Sequence, residues 1–229
     1  MRTWRIQPGE RSELYSPVGL RLLDDLTGER PIGRVEAFLD VREGTAWRPT
    51  GIQAVRTPGG VVAYPGLERR ADASGPARHY RVRIAADFYR PVYPLPPYDG
   101  FEFDAFPWND TNPPRTITRL PRDEKLAPAP GYPFPSFVPV LRGRVVDAAG
   151  KPVADADVKF VKPNPIKPGQ LDVLSRVLSD ERGEFALPMQ LAIFGPTLMI
   201  RTDHRPTSRG KTIQVTLPGA LGKSQTISI

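Results

Sequence analysis

Apolar and polar residues alternate through Leu141-Arg142-Gly143-Arg144-Val145, the period of two that marks a half-buried strand. Asp147-Ala148-Ala149-Gly150 follows as a turn, with Gly150 placed to take a positive φ and Asp147 to hydrogen-bond the turn backbone. A second alternating run from Pro152 carries Val153, Ala156, Val158 and Phe160, and Val177 to Leu187 reads as strand, turn and strand with Gly183 in the turn. Earlier in the chain the same periodicity marks Gly19 to Leu23, Val35 to Leu39 and Ala54 to Tyr64, the last folded about Pro58-Gly59-Gly60 as a hairpin turn. His79 to Ile84 alternates as well, with Arg81 and Arg83 on one face and Tyr80, Val82 and Ile84 on the other. Thr197 to Thr202, Lys211 to Leu217 and Gln225 to Ile229 are rich in β-branched residues and complete the set. The pattern predicts an all-β chain, built as two tandem antiparallel β-sandwiches with no helix beyond a turn or two.

The expected organisation has four parts. Residues 1–16 are a polar lead-in, from which either Trp4 and Ile6 dock on the first sandwich or Trp4 anchors a neighbour; 17–90 form the first sandwich, 91–137 connect, and 138–229 form the second. Asp25-x-x-Gly28 and Pro31-Ile32 match Asp147-x-x-Gly150 and Pro152-Val153, so the two sandwiches read as related units. Pro91 to Pro139 holds thirteen prolines and no clean periodicity, which favours extended, polyproline-like backbone. It also holds nine aromatics, among them Phe101, Phe103, Phe106, Trp108, Tyr132, Phe134 and Phe137, whereas disordered linkers are poor in rings. The segment is therefore expected to act as a strap, with Tyr132, Phe134 and Phe137 packed on the second sandwich and Phe101 to Trp108 exposed. Phe101–Phe106 and Arg115–Leu120 are each candidates for one more strand, the latter as the last strand of the first sandwich.

Written out, the C-terminal pattern is G-x-V-x-D-x-x-G-x-P-V-x-x-A-x-V, followed by S-D-x-x-G-x-F. It resembles the carboxypeptidase regulatory-like (transthyretin-like, prealbumin-type) β-sandwich over about residues 138–229. That resemblance implies a fold and seldom an activity. Pro130-Gly131-Tyr132-Pro133-Phe134-Pro135, running on into Arg142-Gly143-Arg144-Val145, is similar to the members of that family associated with phage-tail-like contractile injection systems. The implied role is that of a non-catalytic structural subunit assembled in the cytoplasm.

Composition narrows the chemistry. There are no cysteines, which excludes disulfides, thiol nucleophiles and thiolate metal sites. No apolar run is long enough for a transmembrane helix, and the charged N-terminal stretch lacks the apolar core of an export signal, so the expected location is cytoplasmic. The formal charge of +7 is spread along the chain without a Lys/Arg run, which favours an ordinary solvated basic surface or an acidic protein partner over nucleic acid. The expected partners are the other protein subunits of an assembly, and a homo-oligomer is a further expectation. His79 and His204 begin no zinc pattern and read as surface or turn residues. An iron site of intradiol-dioxygenase type, a remote alternative, needs paired tyrosines and histidines that converge, and these two histidines fall in different expected domains. Asp24-Asp25, Asp155/Asp157 and Asp180-Glu181 lie beside turns, where aspartate bonds the backbone. No catalytic, cofactor or metal residues are therefore assigned. The candidate partner-binding residues are Phe101, Phe103, Phe106, Trp108, Arg81 and Arg83, and the alternative to an assembly subunit is a module that stacks carbohydrate or peptide on these rings.

Overall fold

In a computed structural model, described for residues 15–94, 96–114, 121–189, 197–207, 209–216 and 219–229, the chain is all-β. Among these residues sixteen strands follow one another as β1 (Gly19–Asp24), β2 (Val35–Glu43), β3 (Ala46–Gln53), β4 (Val55–Arg56), β5 (Val61–Ala63), β6 (Arg78–Ala86), β7 (Tyr89–Pro91), β8 (Phe101–Ala105), β9 (Arg122–Pro128), β10 (Val140–Val146), β11 (Ala156–Pro163), β12 (Leu171–Leu178), β13 (Glu184–Pro188), β14 (Thr197–His204), β15 (Arg209–Thr216) and β16 (Gln225–Ser228). They form four sheets, ordered β4-β5-β1-β9-β7, β3-β2-β6-β8, β13-β10-β16 and β12-β11-β14-β15. The chain divides into two compact units, one drawn from Met1–Arg21, Phe38–Val82 and Glu102–Arg122, the other from Leu22–Ala37, Arg83–Phe101 and Asp123–Ile229.

The strand order occurs twice. β5-β1-β9 and β3-β2-β6-β8 are laid out in chain order as β13-β10-β16 and β12-β11-β14-β15 are, with β4 and β7 added outside β5 and β9. The register repeats too. Leu20, four residues before Asp24, faces Val62, five after Thr57; Gly143, four before Asp147, faces Phe185, five after Asp180. Leu20 and Val62 fill the core position in one pair, whereas Gly143 leaves room that the Phe185 ring occupies in the other. Volume is thus kept while its division between strands changes, the kind of exchange a close-packed interior tolerates.

The turns explain why the pattern was readable. At Asp147 and Asp180 one carboxylate oxygen accepts from the backbone N–H groups two and four residues on, at 2.8–2.9 Å. Gly150 and Gly183 then take the left-handed backbone, with φ of 78° and 74°. Thr57 braces the β4–β5 hairpin with one of these two bonds, its hydroxyl accepting from the Val61 N–H, four residues on, at 3.1 Å. In the first turn the bracing residue is Asp24, whose Oδ1 accepts from Leu26 N at 2.8 Å, and not Asp25 as the sequence match had it. That turn is one residue longer, so aligning on the glycine shifted the aspartate by one.

Residues 91–137 do more than connect. β8 is the edge of a four-stranded sheet, and β9 lies between β1 and β7. The candidate strand at 115–120 lies outside the described residues, as do Trp4 and Ile6. The second strand set buries Leu141, Val145, Val158, Phe160, Val177, Phe185, Leu187, Ile200 and Ile227 as one cluster. Each such side chain contributes about 1.5–3 kcal/mol on leaving water.

Candidate interaction site

Alternation places Tyr80, Val82 and Ile84 in the core and Arg81 and Arg83 on the half-exposed face, as the sequence predicts. Arg81 is held there. Its Nε donates to the buried Asp40 carboxylate at 2.8 Å, and its guanidinium lies 4.7 Å from the Trp47 ring centre. His79, two residues earlier on the same strand, stands 5.4 Å from the same ring. Its Nδ1 lies 2.8 Å from Asp104 and its Nε2 2.8 Å from Glu102, carboxylates that share a face of β8 by their spacing of two. Burial works against the imidazolium, but the two carboxylates outweigh it and raise the pKa above the ordinary value.

The aromatic residues of the expected docking row part company. Phe101 is fully buried, 4.8 Å from the Tyr93 ring, whose hydroxyl accepts from Ile84 N. Trp108 is 2% exposed: its Nε1 donates to the Leu67 carbonyl at 2.8 Å, its backbone N–H to Glu68 O, and Tyr15 meets it edge-on at 5.2 Å. Beside it Glu68 lies buried, accepting from Arg70, Arg78 and the Tyr80 hydroxyl. Phe103 is half-buried and stacks on Tyr80 at 5.7 Å. The exposed platform expected from Phe101 to Trp108 is therefore overturned for Phe101 and Trp108, whose rings already have protein on every side. Phe106 alone of the four stands out, at 66% exposed.

The second group of rings is likewise redistributed. Tyr132 is buried and donates to Asp24 Oδ2 at 2.7 Å; Tyr89 donates to the same oxygen at 3.1 Å. Burial first, and then the Asp24 carboxylate, raises the Tyr132 pKa. Phe134 is half-buried against Tyr132 at 4.7 Å. Phe137, expected to pack on the second sandwich, is 83% exposed, set in a turn that the Val138 N–H closes onto Pro135 O at 2.9 Å. Sequence reasoning missed Arg205, whose guanidinium lies 3.9 Å from the Tyr98 ring and donates to Tyr93 O, and Arg90, which donates to Asp155 and Glu181. Their partners lie 65 to 112 residues away, and no local pattern records that.

Each of the candidate metal ligands already has a partner within the chain. The paired hydroxyls of Tyr89 and Tyr132 point at an aspartate, His79 is clamped by Glu102 and Asp104, and His204 Nδ1 lies 2.7 Å from the Thr207 hydroxyl. Among the described residues no group of three or more His, Asp or Glu side chains is arranged to hold a metal ion, and no helix is long and apolar enough to cross a membrane.

No protein-family model matches the chain, and no curated protein matches it significantly. Among solved structures a streptococcal ancillary pilin matches at 12% identity over 95% of this chain and 68% of the pilin chain, with a TM-score of 0.29. At that score the likeness assigns neither fold nor function.

Proposed function

We propose that the chain is a non-catalytic structural and interaction subunit of a multiprotein assembly. The observation that carries this reading is the exposure of Phe106 and Phe137 in proline-rich stretches whose other rings are buried or half-buried. An exposed phenylalanine is available to fill a partner's pocket, and aromatic anchors dominate such contacts. The histidines, the tyrosine pair and Arg81 are meanwhile engaged in ion pairs and hydrogen bonds within the chain, which supports a scaffold over a reactive centre. The finer assignment, to a phage-tail-like contractile injection particle, draws on the Pro130–Pro135 stretch and the strand that follows it.

The test is co-purification of the tagged chain with its partners from native lysate, read by mass spectrometry, and with sheath particles. Phe106→Ser and Phe137→Ser should leave stability within about 0.5 kcal/mol, since both rings are exposed. They should weaken partner binding by about 2 kcal/mol, roughly thirtyfold. Particles that never contain the chain would end the particle assignment. A double variant that binds as tightly as the parent would end the docking role of the two rings.

A further inference from the structure

Among the described residues eight strands end sheets, and seven of them carry features that discourage another strand from pairing. β3, β7 and β13 hold Pro49, Pro91 and Pro188, while β4, β8, β12 and β15 hold charges such as Arg56, Asp104, Arg176 and Lys211. β16, Gln225-Thr226-Ile227-Ser228, holds neither. It occupies the place that β9 takes in the first strand set, and there β7 lies antiparallel outside β9, Tyr89 facing Pro128. Outside β16 the described residues supply no such strand.

The backbone of β16 is also prepared for a neighbour. It pairs in parallel with β10, and Ile229 N donates to Val146 O at 3.0 Å. By alternation Ile227 turns its N–H and C=O toward β10, whereas Thr226 and Ser228 turn theirs away from it. Thr226 and Ser228 are exposed and Ile227 is buried.

We propose that β16 is the surface through which two copies of this chain associate, strand against strand and antiparallel, about a two-fold axis at Ile227. That axis sets Thr226 opposite Ser228 of the second copy, and each of the two pairs so formed exchanges two main-chain hydrogen bonds. The facing hydroxyls make a favourable cross-strand pair, and two three-stranded sheets become one of six. A second copy is the fitting occupant because an uncharged strand meets no like charge when it pairs with itself, and a two-fold contact must be self-complementary. Each of the other edges would bring its own prolines or like charges into the same two-fold contact. The inference stands apart from the assembly role proposed above, since it concerns the chain alone.

Sedimentation equilibrium of the full chain tests it. The mass should climb from 25.4 kDa toward twice that value between about 10 µM and about 1 mM, the range expected of a short strand contact. Over the same range the amides of Thr226 and Ser228 should exchange about tenfold more slowly, while that of Ile227 is protected throughout. Thr226→Pro removes an outward N–H and leaves the β10 ladder intact, and Ser228→Lys places like charges across the axis. Both should hold the chain monomeric with an unchanged thermal midpoint, and if the proline variant fails to fold the lysine variant decides. A monomer at the highest concentration overturns the proposal, as does a dimer that survives Ser228→Lys with the Thr226 and Ser228 amides still exchanging freely.

Discussion

Gly150 and Gly183 occupy the same place in two aspartate-braced turns and share a left-handed backbone, yet they should differ in what a methyl group costs. A Cβ on Gly150 would find nothing within 4 Å. On Gly183 it would overlap the Val145 carbonyl oxygen and lie 3.3 Å from Pro152 Cβ and Val153 N. Gly150→Ala therefore loses only the backbone term, about 1 kcal/mol for an L-residue held at positive φ. Gly183→Ala loses that and must also push β13 away from β10, where Val145 N donates to Gly183 O at 2.8 Å. Weakening that bond and shifting the buried strand adds about 1–3 kcal/mol. For a chain of 229 residues, 1 kcal/mol moves the thermal midpoint by about 2–4 °C. Gly150→Ala should fall by about that much and Gly183→Ala by two to four times as much, with urea midpoints shifted in the same ratio and unchanged m-values. Equal losses at the two sites would refute the steric account, and no loss at Gly150 would refute its left-handed turn.

Three further outcomes are expected. The folded pKa of His79 is raised above its ordinary 6.5, so its contribution to stability is full below that value and is lost as pH rises through the folded value; urea midpoints should show that slope, and His79→Gln should abolish it. The difference in emission between the parent and Trp108→Phe should be blue-shifted and resist acrylamide, whereas a quenchable difference would mean that the Leu67 and Tyr15 socket is wrong. Asp24→Asn should cost about 1–3 kcal/mol in denaturant titration, because one amide oxygen cannot serve both tyrosine hydroxyls and the Leu26 N–H. Tyr132→Phe added to the Asp24→Asn variant should then cost less than in the parent, and a strictly additive double variant would show the two groups uncoupled.

What could be read in the sequence was what is local. The Asp147 and Asp180 turns declare themselves because an aspartate and a glycine three residues on are both required by one small ring of hydrogen bonds. The core faces of β6 and β10 follow from a period of two. β9 was hidden for the opposite reason: Arg-Asp-Glu-Lys-Leu-Ala-Pro has no alternation, and only its neighbours in the sheet make it a strand. Composition tells that rings must be buried but not which ones. Trp108 is fixed by a carbonyl 41 residues earlier, whereas Phe137, in a richer proline context, has no such partner and remains in water.

The parallel pairing of β10 with β16 bears on how this part of the chain carries load. Tension applied across Val140 and Ser228 pulls the two strands past each other along their length, because the loaded ends lie at opposite ends of the ladder. The main-chain bonds between Gly143–Val146 and Gln225–Ser228 then strain together instead of opening one after another. Resistance to pulling is a rate, governed by the barrier to the first rupture, and a ladder that must break as a block raises that barrier without adding a single contact. An antiparallel hairpin pulled at its open end, such as β14 with β15, would instead unzip bond by bond.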